Sequence, residues 1–384
     1  MSNSDRAVRR PHPRALLALP AGLALLVGID AGLTRLDAWP PVPSPRLGEL
    51  HGVLMVAGFL GTLISLERAV ALARRWALLA PGALGAGVLA LILPTGLDPR
   101  LGESLLVVGA ILQCAVQIPL WQRQRDDAVL VSAVGSACLL GGVVLWLGGA
   151  DPSFALVWFV GYVVLTIAGE RLELARMAMS QTAGRDVTLL GLALTLAVPA
   201  ATLWPEVGAR LLGLALIGIA LWLAIHDVAR RTVHGRSLPR YAAACMLAGQ
   251  VWLLVAGAIW LVVGPLTEGA GYDAAAHAVF LGFAMSMVFA HASTILPAVT
   301  RLRLPYRPAM WWPWALLHSS LLLRLYGGDV VGSELARRLG GAGNAAALLL
   351  FLLVAGVSTG STTGDSRVST GSTTGDGSTT GDGA

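Results

Sequence analysis

The sequence predicts an all-α fold, a polytopic membrane bundle of about twelve transmembrane helices, and three observations lead there. The chain of 384 residues is 55% hydrophobic and only 13% charged, where a soluble domain carries about 25% charged residues. Apolar runs long enough to cross a bilayer, about 20 residues each, recur almost to the C-terminus. Between them the loops alternate in charge, as the loops of a multi-pass protein do.

Apolar runs broken by Pro, Gly or charge give spans at 15–36, 49–73, 77–95, 101–120, 127–149 and 153–177, then at 187–204, 207–229, 239–264, 272–298, 309–327 and 333–357. The last two are the least apolar, because Arg324 and the pair Arg337 and Arg338 intrude. Residues 1–14 form a basic arm containing Arg6, Arg9, Arg10 and Arg14. Arm and first run together resemble a signal peptide, but no small-residue cleavage site precedes Asp30, so the run reads as a retained first helix. On the arm's side lie Arg74 and Arg75, Arg123 and Arg125, Arg176 and Arg185, the group Arg230, Arg231, Arg236 and Arg240, and then Arg301, Arg303 and Arg307. The opposite loops carry Asp98, Glu103, Asp151, Glu206, Glu268 and Asp273, with Arg35 and Arg46 as exceptions. This asymmetry predicts a cytoplasmic N-terminus in a cell inner (plasma) membrane. Trp39, Trp76, Trp121, Trp204 and the cluster Trp311, Trp312 and Trp314 fall near span ends, where an interfacial belt belongs. Residues 358–384 repeat STTGD in a Ser/Thr/Gly-rich tail that cannot build a core, so disorder is expected.

The net charge of +5 is accounted for by these loop arginines, and no nucleic-acid partner follows from it; the expected surroundings are the lipid bilayer. Cys114, Cys138 and Cys245 lie singly inside apolar spans and read as inert thiols. No P-loop, H-E-x-x-H or C-x-x-C-H is present, so ATPase, zinc-hydrolase and covalent c-type heme readings lose their usual support.

Ionisable residues inside a membrane are costly and are the first candidates for function. His51 opens span 2 and His277 opens span 10, at similar depth. Two neutral imidazoles on facing helices are natural axial ligands for a heme iron; they can equally be interfacial histidines wetting their ring nitrogens. Small residues follow each, Gly52, Ala57, Gly58 and Gly61 in one span and Ala278, Gly282 and Ala284 in the other. They leave room for a macrocycle or simply allow close helix packing. His291 lies about 21 Å below His277 on nearly the same face and should match His318 of span 11 in depth, as a second metal or heme site or as a helix–helix hydrogen bond. Glu67 lies about 24 Å below His51, close in depth to Glu170. Glu67–Arg68 and Glu170–Arg171 are sequence neighbours that do not face each other on a helix. Cross-pairing of Glu67 with Arg171 and Glu170 with Arg68 would bring spans 2 and 6 together, as a proton path or as an ion-pair network. His12, His226 and His234 read as solvated. Spans 2, 6 and 10, four apart, share features: a His opens spans 2 and 10, and a Glu-Arg pair ends spans 2 and 6. Three groups of four helices, a pseudo-threefold plan, would account for this.

At these residues the sequence resembles the NnrS family of heme–copper membrane proteins. HGVLMVAGF from His51 is similar to that family's span-2 signature, with Met55, Gly58 and Phe59 at matching positions, and HAVFLG from His277 resembles its later H-A-x-x-x-G motif. More distantly the plan is similar to heme-copper oxidase subunit I, with its twelve helices and heme ligands on helices two and ten. The resemblance implies axial roles for His51 and His277, heme b with copper as a further metal, and a part in electron transfer or the nitric-oxide and nitrosative-stress response. A quinone or small redox partner would go with it. Span 6 has no His and the oxidase copper triad is missing, so dioxygen reduction is not implied. Two other expectations compete: a transporter or channel with a polar path through Glu67, Glu170, His291 and His318, and a non-catalytic membrane scaffold.

Overall fold

The computed structural model describes residues 13–94, 96–175 and 181–368. Arg6, Arg9, Arg10 and His12 of the basic arm, Arg176, and tail residues 369–384 lie outside the described residues. Among the described residues every regular element is helical. Eleven helices are long and apolar enough to cross a membrane. They are α1 (Arg14–Arg35), α2 (His51–Leu72), α3 (Arg75–Ile92), α4 (Pro99–Gln124), α5 (Asp127–Leu147), α6 (Ser153–Glu173), α7 (Arg185–Leu203), α8 (Pro205–His226), α9 (Ser237–Val263), α10 (Gly269–Thr300) and α12 (Glu334–Thr359). Between the last two, α11 runs from Trp311–Leu322 directly into a π-helical stretch, Leu323–Val330. It is helical where the sequence predicts a span, but Arg324 and Asp329 lower its hydropathy. The chain is therefore a multi-pass helical membrane protein.

One boundary differs from expectation. The last helix continues to Val368, eleven residues past the predicted end and through the first STTGD copy. Once a helix is nucleated, each added residue gains one backbone bond. At the start of this extension the Ser358 hydroxyl bonds the Val354 carbonyl at 2.6 Å and Thr359 bonds the Gly356 carbonyl at 2.8 Å.

Burial sorts the helices. Within the most apolar window, α6 is 83% buried, α2 72% and α10 61%, whereas α1 and α7 are 33% buried. Spans 2, 6 and 10, the three that share sequence features, are the three most buried of the eleven. Elsewhere the outer surface is apolar: Leu196, Leu203, Leu214, Val251 and Val262 are exposed. That much apolar surface is a liability in water and the normal state in lipid. Trp39, Trp76, Trp121, Trp204 and Trp312 are also exposed, as belt residues should be.

Close approach depends on glycine. A Cβ on Gly87 of α3 would stand 2.8 Å from the Gly102 carbonyl of α4, and one on Gly257 of α9 would stand 2.8 Å from the Gly213 carbonyl of α8. Without a hydrophobic force between helices in lipid, such backbone contact supplies much of the packing.

Three π-helical stretches mark the interior: Leu54–Gly61 in α2, Ala278–Met285 in α10, and Leu323–Val330 in α11. π-Helical turns are rare and gather at functional sites. Here they follow closely on His51 and His277 and surround Arg324.

Candidate functional site

The histidine pair forms. The rings of His51 and His277 have centroids 6.3 Å apart and planes 23° from parallel. His51 Nδ1 is 2.7 Å from the Gly28 carbonyl of α1. His277 Nδ1 is 2.8 Å from the Asp273 carbonyl, one turn back on α10. A carbonyl only accepts, so each Nδ1 carries the hydrogen, which makes Nε2 the nitrogen that a neutral ring would offer to a ligand. This is the arrangement that orients metal-binding histidines.

Local sequence builds the two seats. On α1, Gly28 and Gly32 are one turn apart and open a groove. A Cβ on Gly32 would come within 2.8 Å of His51 Cε1, and one on Gly28 within 2.6 Å of Met55 Sδ. Asp273 sits four residues before His277, hence on the same helix face, with Oδ1 3.2 Å from His277 Nδ1. Arg324 of α11 clamps that carboxylate through two bonds, 2.9 Å from Nε and 2.7 Å from Nη2. Arg324 is buried, and its backbone lies against Gly340 of α12, where a Cβ would be 2.6 Å from the Arg324 amide nitrogen. Gly28, Gly32 and the Asp273–Arg324 pair went unrecognised in the sequence. Asp273 reads there as a loop acid and Arg324 as an intrusion; the D-x-x-x-H spacing was the available signal.

A second cluster lies farther along α2, α6 and α10. The expected cross-pairs do not form. Arg68 pairs with Glu173 at 3.4 Å, so α2 and α6 do meet, through a different acid. Arg171 takes Asp227, beyond the end of α8, through bonds of 3.0 and 2.9 Å. Both members are buried. The Arg171 Nη1 donates to His291 Nε2 at 2.9 Å, while His291 Nδ1 donates to the Met287 carbonyl. Asp227 follows the apolar run of α8 directly, and nothing in its spacing announces a buried partner. Glu67 and Glu170 instead line a cavity of about 40 Å³, together with Thr166 and His291.

His291 and His318 have separate partners. The Trp252 indole donates to His318 Nδ1 at 2.9 Å, and the Trp314 ring packs edge-on at 5.0 Å. Both His291 nitrogens are engaged with other groups, so the expected joint site is not formed by these contacts. His226, expected to be solvated, is half-buried and stacks on Trp222. Cys114, Cys138 and Cys245 are free thiols. Among the described residues no group of three or more His, Cys, Asp or Glu is placed to hold a metal ion; the histidine pair is a two-nitrogen donor set.

Fold and site together define a class: a multi-pass helical membrane protein that holds a close pair of imidazoles and, farther along the same helices, a cavity that Glu67 and Glu170 border. The chain belongs to the family described as Domain of unknown function (DUF8744), which matches residues 14–359. No curated protein matches the sequence.

Proposed function

We propose that this chain is a membrane heme protein in which His51 and His277 are the two axial ligands of a heme b. Its role would be NnrS-like, in electron transfer or the nitric-oxide and nitrosative-stress response, with a quinone or small redox protein as partner. The observation that carries the reading is the separation of the two rings, 6.3 Å between centroids. An imidazole nitrogen binds a metal at about 2.0–2.1 Å and lies roughly 1 Å from its own ring centre. Two imidazoles sharing one ion therefore have centres about 6 Å apart. Beside His51, Gly52 faces open space, with nothing within 4 Å of a Cβ placed there. The donor set, two imidazoles each oriented by a backbone carbonyl at Nδ1, suits heme iron and also copper.

A heme held by His51 and His277 would supply one-electron transfer. The protein's own part is positional. The Gly28 carbonyl fixes His51, and the Asp273 carbonyl and carboxylate fix His277. Arg324 clamps the Asp273 carboxylate from the other side. The arginine-rich loops support a cytoplasmic N-terminus in a cell inner membrane.

The test is the absorption spectrum and the iron and copper content of detergent-purified protein from heme-replete cells. A b-type Soret band with one iron per chain, lost in both His51→Ala and His277→Ala, is the expected result. Copper in its place, lost in the same two variants, would keep the site and change the metal. Colourless, metal-free protein that is otherwise folded overturns the reading.

A further inference from the structure

The arginines of the basic side are unevenly spread. Residues 228–240, which join α8 to α9 and form its first turn, hold Arg230, Arg231, Arg236 and Arg240. Residues 301–307, which lead from α10 toward α11, hold Arg301, Arg303 and Arg307. Neither segment contains an Asp or a Glu. Two of the other same-side loops are mixed, with Asp126 and Asp127 after Arg123 and Arg125 and Asp186 after Arg185, and the third has only Arg74 and Arg75. The acid nearest in sequence to the first segment, Asp227, is buried and taken by Arg171. Arg236, Arg240, Arg301 and Arg303 are exposed, and among the described residues no carboxylate pairs with them. Orientation in the membrane needs only an overall excess of arginine on one side; it does not require that the excess be gathered, unneutralised, in two loops.

Those two loops meet on a platform of aromatic rings. The guanidinium of Arg240 lies over the Trp311 ring, 6.0 Å from its centre, at the outer limit of a cation–π contact. Trp311 is itself held: its indole nitrogen donates to the Tyr306 hydroxyl at 3.1 Å, and Tyr241 and Trp314 pack edge-on against it at 5.5 and 5.3 Å. Tyr241 is buried, so the platform is anchored in the bundle. Its surroundings are those of a headgroup layer. Trp312, next along α11, is 72% exposed, as a ring at the membrane interface is. Farther along the two helices the exposed side chains are apolar, Val251 and Leu254 on α9 and Leu322 and Leu323 on α11.

We propose that this corner of the bundle is a binding site for an anionic phospholipid. Its phosphate is taken by Arg236, Arg240, Arg301 and Arg303, and its acyl chains lie along α9 and α11. Arginine suits the phosphate because its planar fork can bond two oxygens at once, and basic pockets at helix ends are where acidic headgroups settle. A zwitterionic lipid would bring its own ammonium into a cluster with no acid to receive it. A soluble phosphate would leave the apolar faces of α9 and α11 unused. The site stands whether or not His51 and His277 bind heme.

Native mass spectrometry of the full-length protein in detergent, titrated with dioleoyl-phosphatidylglycerol or dioleoyl-phosphatidylcholine, tests it. The glycerol lipid should bind about tenfold or more tightly than the choline lipid, since several arginines contribute. Arg240→Gln with Arg303→Gln should weaken it by about fivefold for each arginine removed. Arg75→Gln with Arg125→Gln removes the same charge from other loops and should leave it unchanged. Excess inorganic phosphate should not displace the lipid. Equal binding of the two lipids, or equal losses in the two double variants, would show diffuse attraction and overturn the site. Displacement by phosphate would show an anion site in which the chains play no part and would overturn the lipid. Should Arg240→Gln with Arg303→Gln fail to fold, as judged by size-exclusion profile, Arg236→Gln with Arg301→Gln decides by the same criteria.

Discussion

His51 begins α2 and His277 lies eight residues into α10, far apart in sequence, yet their rings stand 6.3 Å apart and within 23° of parallel. That relationship depends on a third helix. His51 rests in the groove that Gly28 and Gly32 cut in α1, with its Nδ1 on the Gly28 carbonyl. The first prediction concerns this groove. Gly32→Ala would place a methyl 2.8 Å from His51 Cε1, closer than such atoms approach, so the ring must swing out. Overpacking of this kind costs about 1–3 kcal/mol, which a bundle of this size survives. The variant should therefore purify as a folded protein that binds metal or heme much more weakly than the parent. Spectral titration with heme, beside a thermal melt, checks it; unchanged binding would show that the α1 groove does not set the ligand's position.

The other histidine is positioned by charge. Asp273 faces His277 Nδ1 and is itself clamped by Arg324. Removing one member of such a pair strands the other. Replacing both with apolar residues of similar size is often neutral for stability. Asp273→Leu with Arg324→Met should thus leave the melting temperature within a few degrees of the parent. It should weaken the metal or heme affinity by about 10–100-fold, the usual cost of losing a second-shell partner. Equal affinity in the double variant would mean that the Asp273 carbonyl alone suffices.

The sequence and the structure agree where periodicity and burial act and part where tertiary contacts act. Spans of about 20 apolar residues are set by the thickness of the bilayer, so eleven of twelve were legible as spans. The same holds for depth along a helix, which follows from a rise of about 1.5 Å per residue and brought His51 level with His277. Pairing across helices is different. Which acid meets Arg171 depends on how α6, α8 and α10 rotate about their axes, and no spacing rule fixes that. Hence Asp227 took the place expected of Glu67, and Glu173 the place expected of Glu170. Arg324 looked like a blemish in a weak span because its partner lies on α10.

The buried Arg171–Asp227 pair gives a third prediction. Its two bonds of 3.0 and 2.9 Å tie α6 to the chain just past α8, and Asp227 also accepts from the Ala229 amide at 2.9 Å. Asp227→Asn leaves a buried guanidinium without its counter-charge, a loss of about 3–5 kcal/mol. Asp227→Leu combined with Arg171→Leu removes both charges but strands the acceptor Nε2 of His291, worth about 1–3 kcal/mol. The double variant should therefore melt above the single one in the same detergent. The reverse order would show that the two charges are not compensating each other in the folded bundle.

The last prediction concerns orientation. Lys and Arg near the ends of spans favour the cytoplasmic side, each in proportion to the cost of moving its charge across the membrane. Arg75, Arg125, Arg231 and Arg301 lie in four same-side loops and are exposed, while Glu268 lies in an opposite one and is exposed too. Single cysteines at these positions can be read without interference: Cys138 and Cys245 are buried, and only half-buried Cys114 needs replacement. In inside-out vesicles of the host's inner membrane, a membrane-impermeant maleimide should label cysteines at 75, 125, 231 and 301 and leave position 268 unmodified. In right-side-out cells the pattern should invert. Labelling of 268 together with 75 from one side would break the alternation itself. Uniform inversion would keep the helices and reverse the protein. It would then put the His51–His277 end of the bundle toward the cytoplasm and the Glu67–Glu170 cavity toward the outside.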